Sequence, residues 1–404
     1  DRFKYVNDTH GHAAGDELLR EVARRMAGLL RAEDSLCRLA ADEFMLVLPG
    51  LTPGQAVAAV APFCERLLAS LLAQPFEIAG HQIHAAFSMG VAVYPEDGAH
   101  GEALMRYADT ALFEAKRAGR QTYRFFETRM NDELARFLDT RDALRLALER
   151  REFVLHYQPQ LDLRTGRVVG VEALIRWQRP GVGLVMPGAF IEVAEESGLI
   201  VPMGRWVLQE ACRQAAAWRA AGWPDLVMAV NLSAIQFRQG QVVEDVRLAL
   251  AASGLAPQGL ELELTESLLL QGEETVLGAL AQWKARGIRL AIDDFGTGYS
   301  SLAYLKRFPL HKIKIDRSFV INLKDDQGDR AIVRAMIQIA RSLKLRTIAE
   351  GVEEADLANR LRAMGCDEVQ GYLYARPLSV ADFKAWLDGQ GLRPQTSSSG
   401  CLLP

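Results

Sequence analysis

The chain has five cysteines and seven histidines in 404 residues, and neither set is arranged for chemistry. Cys37, Cys64, Cys212, Cys366 and Cys401 form no Cys-X-X-Cys pair and no regular framework, which excludes a disulfide scaffold and points to a reducing compartment. No Cys or His pair has the spacing of a zinc site. No apolar run approaches the roughly 18–20 residues that span a bilayer, and no signal peptide opens the chain, so a cytoplasmic stretch without membrane contact is expected. A basic surplus is also missing. The 47 Lys and Arg against 51 Asp and Glu leave a formal net charge of -4, which argues against a binder of nucleic-acid polymers. An initiator Met is absent as well, since the chain starts Asp1-Arg2-Phe3-Lys4. A larger parent with sensor or membrane segments upstream is the expectation.

What remains is a globular composition, 49% hydrophobic and 24% charged, and a length beyond the size at which one core keeps growing, so two domains are expected. The informative pattern lies in the second half. Glu172, Asn231, Glu263, Asp293, Asp294 and Glu350 each sit at the end of a short apolar run: 168–174, 226–233, 260–265, 288–294 and 346–352, with Lys312 to Asp316 (KIKID) as a further run. Short apolar runs separated by helical stretches suggest buried parallel strands with crossover helices, and several in succession favour an α/β barrel. In such barrels polar residues at the C-terminal strand ends converge on one face.

Carboxylates plus one Asn amide suit Mg²⁺ or Mn²⁺ far better than zinc. The neighbouring acids Asp293 and Asp294 repel one another unless cations lie between them, and one of them can bridge two ions. A two-metal site, with ions roughly 3.5–4 Å apart, activates water and stabilises the entering and leaving oxygens of a phosphoryl displacement, so phosphodiester hydrolysis is the natural chemistry. The plain alternative for any single acid is a helix cap or a solvated rim charge. Lys314 alone reads as an alternating strand residue, Arg176 as the partner of a rim acid, and Gly296 to Gly298 as a turn. The six strand-end residues taken together carry the site.

These residues occur within VEALIRW (171–177), Asn231-Leu232-Ser233, Glu263-Leu264-Thr265-Glu266, Asp293-Asp294-Phe295-Gly296-Thr297-Gly298-Tyr299-Ser300-Ser301, KIKID (312–316), Glu350-Gly351-Val352-Glu353 and Gln370-Gly371-Tyr372. In this order they resemble the successive signatures of the EAL domain family, phosphodiesterases that open cyclic di-GMP to linear pGpG. The resemblance covers roughly residues 140 to 390 and leaves no ligand position substituted. It implies that Glu172, Asn231, Glu263 and Asp293 bind one metal and that Asp293 and Asp294 serve the second. Lys314 and Glu350 hold and polarise the attacking water, Gln370 supports the metal shell, and Glu266 fixes the loop Phe295 to Ser301 near a dimer contact. Arg176 contacts phosphate, as a guanidinium fork does well. Gln158, Leu174, Asp316 and Glu353 line the dinucleotide.

The first 128 residues read as helix (15–30), strand (44–48), helix (53–72), paired strands (76–78 and 83–93) and helix (101–117), a compact α/β domain. Met130 to Arg150 reads as a connecting helix with a packed stripe of Leu134, Phe137, Leu144 and Leu148. The tail after Arg393 reads as disordered. DRFKYVNDTHGHAAGD at the start, RLAADEF (38–44), FSMGVAVYPEDG (87–98) and YADTALFEAKRAGRQTY (107–123) resemble the GGDEF family, which makes cyclic di-GMP from two GTP, less its first strand. Ala40-Ala41 replace the two glycines that precede Asp-Glu-Phe in that family, and their Cβ atoms intrude where backbone must approach the nucleotide. The family's metal-binding Asp, two residues before Asp1, lies outside the chain, so cyclase activity is not expected of it. Asn7 and Asp16 match guanine-recognising positions, Lys116 and Arg120 phosphate contacts, and Glu43 a metal ligand. Arg31 and Asp34 have the spacing of the family's inhibitory product site, although such a pair is ordinarily an intrahelical ion pair.

The expectation is thus an α/β protein: a degenerate GGDEF domain of nucleotide-cyclase-like α/β type (1–128), a connecting helix (129–150), an EAL domain built as a TIM-like (β/α)8 barrel (151–390) and a tail (391–404). It is a cyclic di-GMP phosphodiesterase using two Mg²⁺ or Mn²⁺ ions, a homodimer by resemblance, with GTP as an allosteric activator. The alternatives are a catalytically silent receptor for cyclic di-GMP or GTP, disfavoured by the intact acids, and a bifunctional enzyme that retains cyclase activity, disfavoured by Ala40-Ala41.

Overall fold

A computed structural model of the protein describes all residues except 2, 53, 239–240, 267, 269–273, 297–306, 325 and 390–404. The tail read as disordered and most of the loop after Phe295 therefore lie outside the described residues. The chain forms two compact units, Asp1–Asp139 and Thr140–Pro404.

In the first unit, helices Phe3–His10 and His12–Ala27 precede strands β1 (Ser35–Ala40) and β2 (Glu43–Val47), which pair antiparallel. Helix Ala56–Leu72 leads into a hairpin of β3 (Phe76–Ile78) and β4 (His81–Ile83), while β5 (Met89–Val91) and β6 (Tyr123–Phe125) pair in parallel around helix Gly101–Arg117. Leu18, Val22, Leu67, Leu71, Phe76 and Ile78 form the core. The structure splits the expected strand 83–93 into the end of β4 and all of β5, and adds the helix at Phe3–His10 with β1 and β6. The added helix is only eight residues long and packs just Phe3 and Val6, part-buried, against the core, while β1 is almost wholly exposed, so each gives too short or too weak an apolar period to be recognised.

Helix Arg129–Arg150 follows. Met130 and Phe137 are buried on its first half and Leu144 and Ala147 on its second, with Leu134 and Leu148 partly covered, which is the three-and-four spacing of one helical stripe.

The second unit is a closed barrel. Its strands are β7 (Phe153–Asp162), β8 (Val168–Arg179), β10 (Val227–Leu232), β11 (Leu260–Thr265), β12 (Arg289–Phe295), β13 (Lys312–Ile315), β14 (Arg346–Ala349) and β15 (Glu368–Val369), closed by pairings of β8 with β10 and of β7 with β15, while β9 (Gly183–Val185) extends β8. From β8 round to β15 the barrel strands run parallel, but β7 is antiparallel to both its neighbours. This departs from an all-parallel barrel for a local reason. Asp162 Oδ1 accepts from the amides of Arg164 and Thr165, an Asx turn that returns the chain at once, and a connection this short cannot make a parallel crossover. Outside the barrel, Tyr157, Trp218 and Phe383 pack ring against ring, and Trp177 Nε1 donates to Glu152.

Cys37 is exposed, whereas Cys64, Cys212 and Cys366 are buried, and burial pushes those three thiols up to about 11, 12 and 12. Only a thiolate reacts readily. In a Cys401→Ser background, Ellman's reagent should therefore consume one thiol fast and three more only in denaturant; fast labelling of any buried cysteine would contradict this packing.

Candidate active site

The adjacent acids owe their placement to a break in the ladder. The register of β12 on β13 shifts between Ile292 and Phe295, so Asp293 and Asp294 occupy a bulge, and Asp294 takes a left-handed φ of 53°. Bulges re-aim side chains and are over-represented beside functional sites, and an L-residue at such a φ stores strain. The Asp294 amide donates to Asp293 Oδ1 at 3.0 Å. Next to it, Gly296 has φ 97° and a Cβ there would lie 2.1 Å from Met336, so glycine is required. Its amide donates to Glu266 Oε2 at 2.9 Å; the rest of the loop that Glu266 is expected to fix lies outside the described residues.

Strand alternation points Glu172, Asn231, Glu263, Asp293 and Lys314 into the C-terminal mouth of the barrel. Lys314 Nζ lies 2.6 Å from Glu263, 2.7 Å from Glu350, 3.0 Å from Asp293 and 3.8 Å from Glu172. The ammonium is thus surrounded by four carboxylates, a wider set than the pairing with Glu350 that the resemblance implies. If all are ionised, one positive and four negative charges leave three uncompensated in a site where Lys314, Glu172 and Glu263 are buried. Burial opposes the Lys314 charge, but Asp293, Glu172, Glu263 and Glu350 outweigh it and hold the lysine firmly protonated. Burial also pushes Glu263 well up, with Lys314 opposing and Glu172 and Asp293 reinforcing, and it raises Glu350 to about 8. Asp294 is raised by burial and by Asp293. Glu172 is the exception: burial is again the largest influence, yet Lys314, Gln370 and Asn231 together hold it below the usual range. The cluster therefore keeps protons that a cation would displace. Glu263 Oε1 is buried with no hydrogen-bond partner, and every candidate ligand offers an oxygen donor of the kind hard divalent cations take, while among the described residues no three His, Cys, Asp or Glu side chains are already grouped tightly enough to hold an ion.

Asn231 Nδ2 donates to Glu172 Oε1 at 2.6 Å, and Gln370 Nε2 donates to Glu172 Oε2 at 2.5 Å and to Gln158 Oε1 at 3.0 Å. Gln158 faces Glu172 across the β7–β8 ladder. Leu174 and Arg176 follow Glu172 at two-residue steps on β8; Arg176 is buried, gives Nη1 to the Ile175 carbonyl and has no partner for Nε. Asp316 caps helix Arg317–Ile321 through the Ser318 amide, and exposed Glu353 pairs with Arg317 at 2.8 Å.

A second buried network lies on the same strands and was not anticipated. Lys312 Nζ is 2.7 Å from Glu261 and 2.8 Å from Glu368, and it donates to Gln160 Oε1 at 3.4 Å. Arg346 bridges Glu368 at 3.2 Å and the rim acid Asp162 at 3.1 Å. Lys312 and Lys314, Glu261 and Glu263, and Gln158 and Gln160 are polar pairs two apart within otherwise apolar strands. That period-two repeat was the available signal.

In the first unit, Ala41 has a left-handed φ of 43° and its carbonyl accepts twice from Arg38, a conformation that suits glycine better than alanine. Asn7, on the first helix, lies over Gly15 of the second, with Oδ1 1.9 Å from where a Gly15 Cβ would be. Asp16 follows on that helix, and Glu43 opens β2. Lys116 lies in the last turn of helix Gly101–Arg117, and Arg120 follows it closely at a left-handed φ of 64°. Asp34 Oδ2 accepts from the Arg31 amide at 2.8 Å. This closes a turn rather than the intrahelical ion pair that the spacing suggests.

With this geometry in hand, comparison with known proteins finds the EAL domain model matching residues 141–377 and the diguanylate cyclase GGDEF domain model matching residues 1–122. The chain is 46% identical over 385 residues to the bifunctional diguanylate cyclase/cyclic di-GMP phosphodiesterase MucR of Pseudomonas aeruginosa, covering 95% of this chain and 56% of MucR. It is 41% identical to the cyclic di-GMP phosphodiesterase PdeR of Escherichia coli, covering 96% of this chain and 57% of PdeR. It thus spans little more than half the length of either. A solved PaMucR phosphodiesterase in complex with c-di-GMP superposes with a TM-score of 0.59 at 47% identity, covering 61% of this chain and 99% of that one. The chain belongs to the EAL domain family, with a GGDEF domain ahead of the EAL domain.

The titration of Glu350 fixes a sign. The folded protein holds this proton up to about pH 8, whereas the unfolded chain loses it in the ordinary carboxylate range, so this group makes the metal-free protein less stable as pH rises through that window. A divalent cation bound among these acids would displace the proton. Calorimetry with Mn²⁺ at neutral pH, in two buffers of different ionisation enthalpy, should therefore report proton release, with affinity rising towards pH 8; buffer-independent heats would contradict the assignment.

Proposed function

We propose that this member of the EAL domain family hydrolyses cyclic di-GMP to linear pGpG. The observation that carries the reading is the charge imbalance at the barrel mouth: four carboxylates around one ammonium, with Asp293 and Asp294 in a bulge beside them. Glu172, Asn231, Glu263 and Asp293 would hold one divalent ion, and Asp293 with Asp294 a second, Mg²⁺ or Mn²⁺. Bound there, such ions supply Lewis-acid activation of water and neutralise charge developing on phosphate.

The chain's own groups do the rest. Gln370 and Asn231 hold both oxygens of Glu172, which keeps that carboxylate in one orientation. Lys314 cannot lose its proton among four acids, so it serves as a fixed positive charge next to the attacking water. Glu350, 2.7 Å from Lys314 and left ionised once bound cations have displaced its own proton, takes the proton that water gives up. Arg176 has an unpartnered Nε on the same strand face as Glu172 and offers it to a phosphodiester oxygen. Gln158, Leu174, Asp316 and Glu353 line the dinucleotide, and the bond to the 3′ oxygen breaks as the macrocycle opens.

The GGDEF domain is the regulator in this reading. A left-handed Ala41 supports loss of cyclase activity, while Asn7, Asp16, Glu43, Lys116 and Arg120 bind GTP as an activator, and Arg31 and Asp34 form the product site. A cytoplasmic homodimer completes the proposal.

Cyclic di-GMP incubated with the protein and Mg²⁺ or Mn²⁺ should yield pGpG, and Glu172→Ala should lower the rate by roughly 100-fold or more. GTP should raise the wild-type rate. Tight binding without turnover would make the receptor the better reading.

A further inference from the structure

The network beneath the candidate site touches none of the reacting positions, yet it leads to one of them through hydrogen bonds of fixed direction. Lys312 is an ammonium that can only donate. Its contact at 3.4 Å turns the carbonyl of Gln160 towards it, so the Gln160 amide nitrogen faces the other way and donates to Gln370 Oε1 at 3.0 Å. The Gln370 nitrogen must in turn point upwards, where it donates to Glu172 Oε2 at 2.5 Å and to Gln158 Oε1 at 3.0 Å. The branch through Gln158 ends on the Ala375 carbonyl at 3.1 Å. One obligate donor stands at the bottom and acceptors stand at both ends. Every link is buried or part-buried, with Gln160 and Gln370 only 1% and 4% exposed, so water cannot readily reverse a member. Gly170 leaves the space: a Cβ there would lie 2.7 Å from Gln160 Oε1.

We infer that Lys312 is a positioning residue that sets the direction of this amide chain and thereby holds Glu172 in place. An amide has nearly the same shape either way round, so the strand frame alone cannot choose its orientation. Reversing both glutamines would put Gln370 Oε1 against the Glu172 carboxylate, which repels it and removes its 2.5 Å donor. The charges are arranged so that the donor is retained at little electrostatic cost. Lys312 and Arg346 face Glu261 and Glu368, whereas the site above carries an excess of acid.

The consequence for metal binding rests on the reading of Glu172 given above, and the test separates the two. Lys312→Met alone strands Glu261 and Glu368 and is liable to unfold. Lys312→Met with Glu261→Met keeps the Glu368–Arg346 pair and the charge balance, and Met fills the space of either unbranched chain. Two readouts apply. In metal-free protein with ¹⁵N-labelled glutamine, the side-chain amide protons of Gln160 and Gln370 should be protected from exchange, and that protection should be lost in the double variant. Mn²⁺ binding followed by calorimetry should weaken by about tenfold, in the range typical of groups that orient ligands, while the thermal midpoint stays near wild type. Gln160→Met should weaken Mn²⁺ binding to the same extent, and the triple variant no further, because the residues form one chain. Unchanged protection and affinity in the double variant, or additive losses in the triple, would overturn the proposal. If wild type binds no Mn²⁺ while the amide protons respond as expected, the reading of the metal site fails and the orienting role of Lys312 stands.

Discussion

The second unit is organised around an ammonium group that four carboxylates share. Lys314 is 1% exposed, and a buried cation is tolerable only where acids surround it. The four acids are tolerable only because the ammonium stands between them and because some retain protons. Each side of the arrangement depends on the other. Adjacent strands β11, β12 and β13 deliver Glu263, Asp293 and Lys314, with Asp293 set two residues further along the ladder than the partner of Glu263; Glu172 arrives from β8, and Glu350 follows the end of β14.

The barrel interior shows two solutions to the same electrostatic problem on one strand. Lys312 meets two buried acids, and Arg346 shares one of them and reaches out to the rim acid Asp162, so the buried groups of this network balance. Lys314, two residues on, meets four acids and does not balance. A balanced buried network is what a structural role requires. An unbalanced one is destabilising unless protons or another cation offset the excess charge, which is the physical ground for proposing a cation site there. The bulge at Asp293 and Asp294 adds to this cost, since the left-handed backbone of Asp294 takes about 1 kcal/mol or more.

The first unit gives the opposite lesson. Its Ala41 occupies a backbone conformation suited to glycine, so this turn carries strain that a glycine there would relieve. The Asn7 carbonyl packs where only a glycine at 15 leaves room.

Much of this was legible in the sequence because strand periodicity and chemistry coincide. A carboxylate at the end of an apolar run is costly unless it faces a site, which singles out Glu172, Glu263, Asp293, Asp294 and Glu350 in the sequence, and the apolar runs that precede them, with the one ending at Asn231, form barrel strands. The antiparallel β7 was not legible, because an Asx turn at Asp162 and a crossover are told apart by how the chain returns and not by the strand's composition. Nor was the central place of Lys314, since within KIKID it looks like any alternating residue until the barrel closes. The Lys312–Gln160–Gln370–Glu172 chain depends on residues 210 positions apart, Gln160 and Gln370, meeting at 3.0 Å. Local sequence determines which groups point inward; only closure of the barrel decides which of them meet, because partner choice is set by register and stagger across strands far apart in the chain.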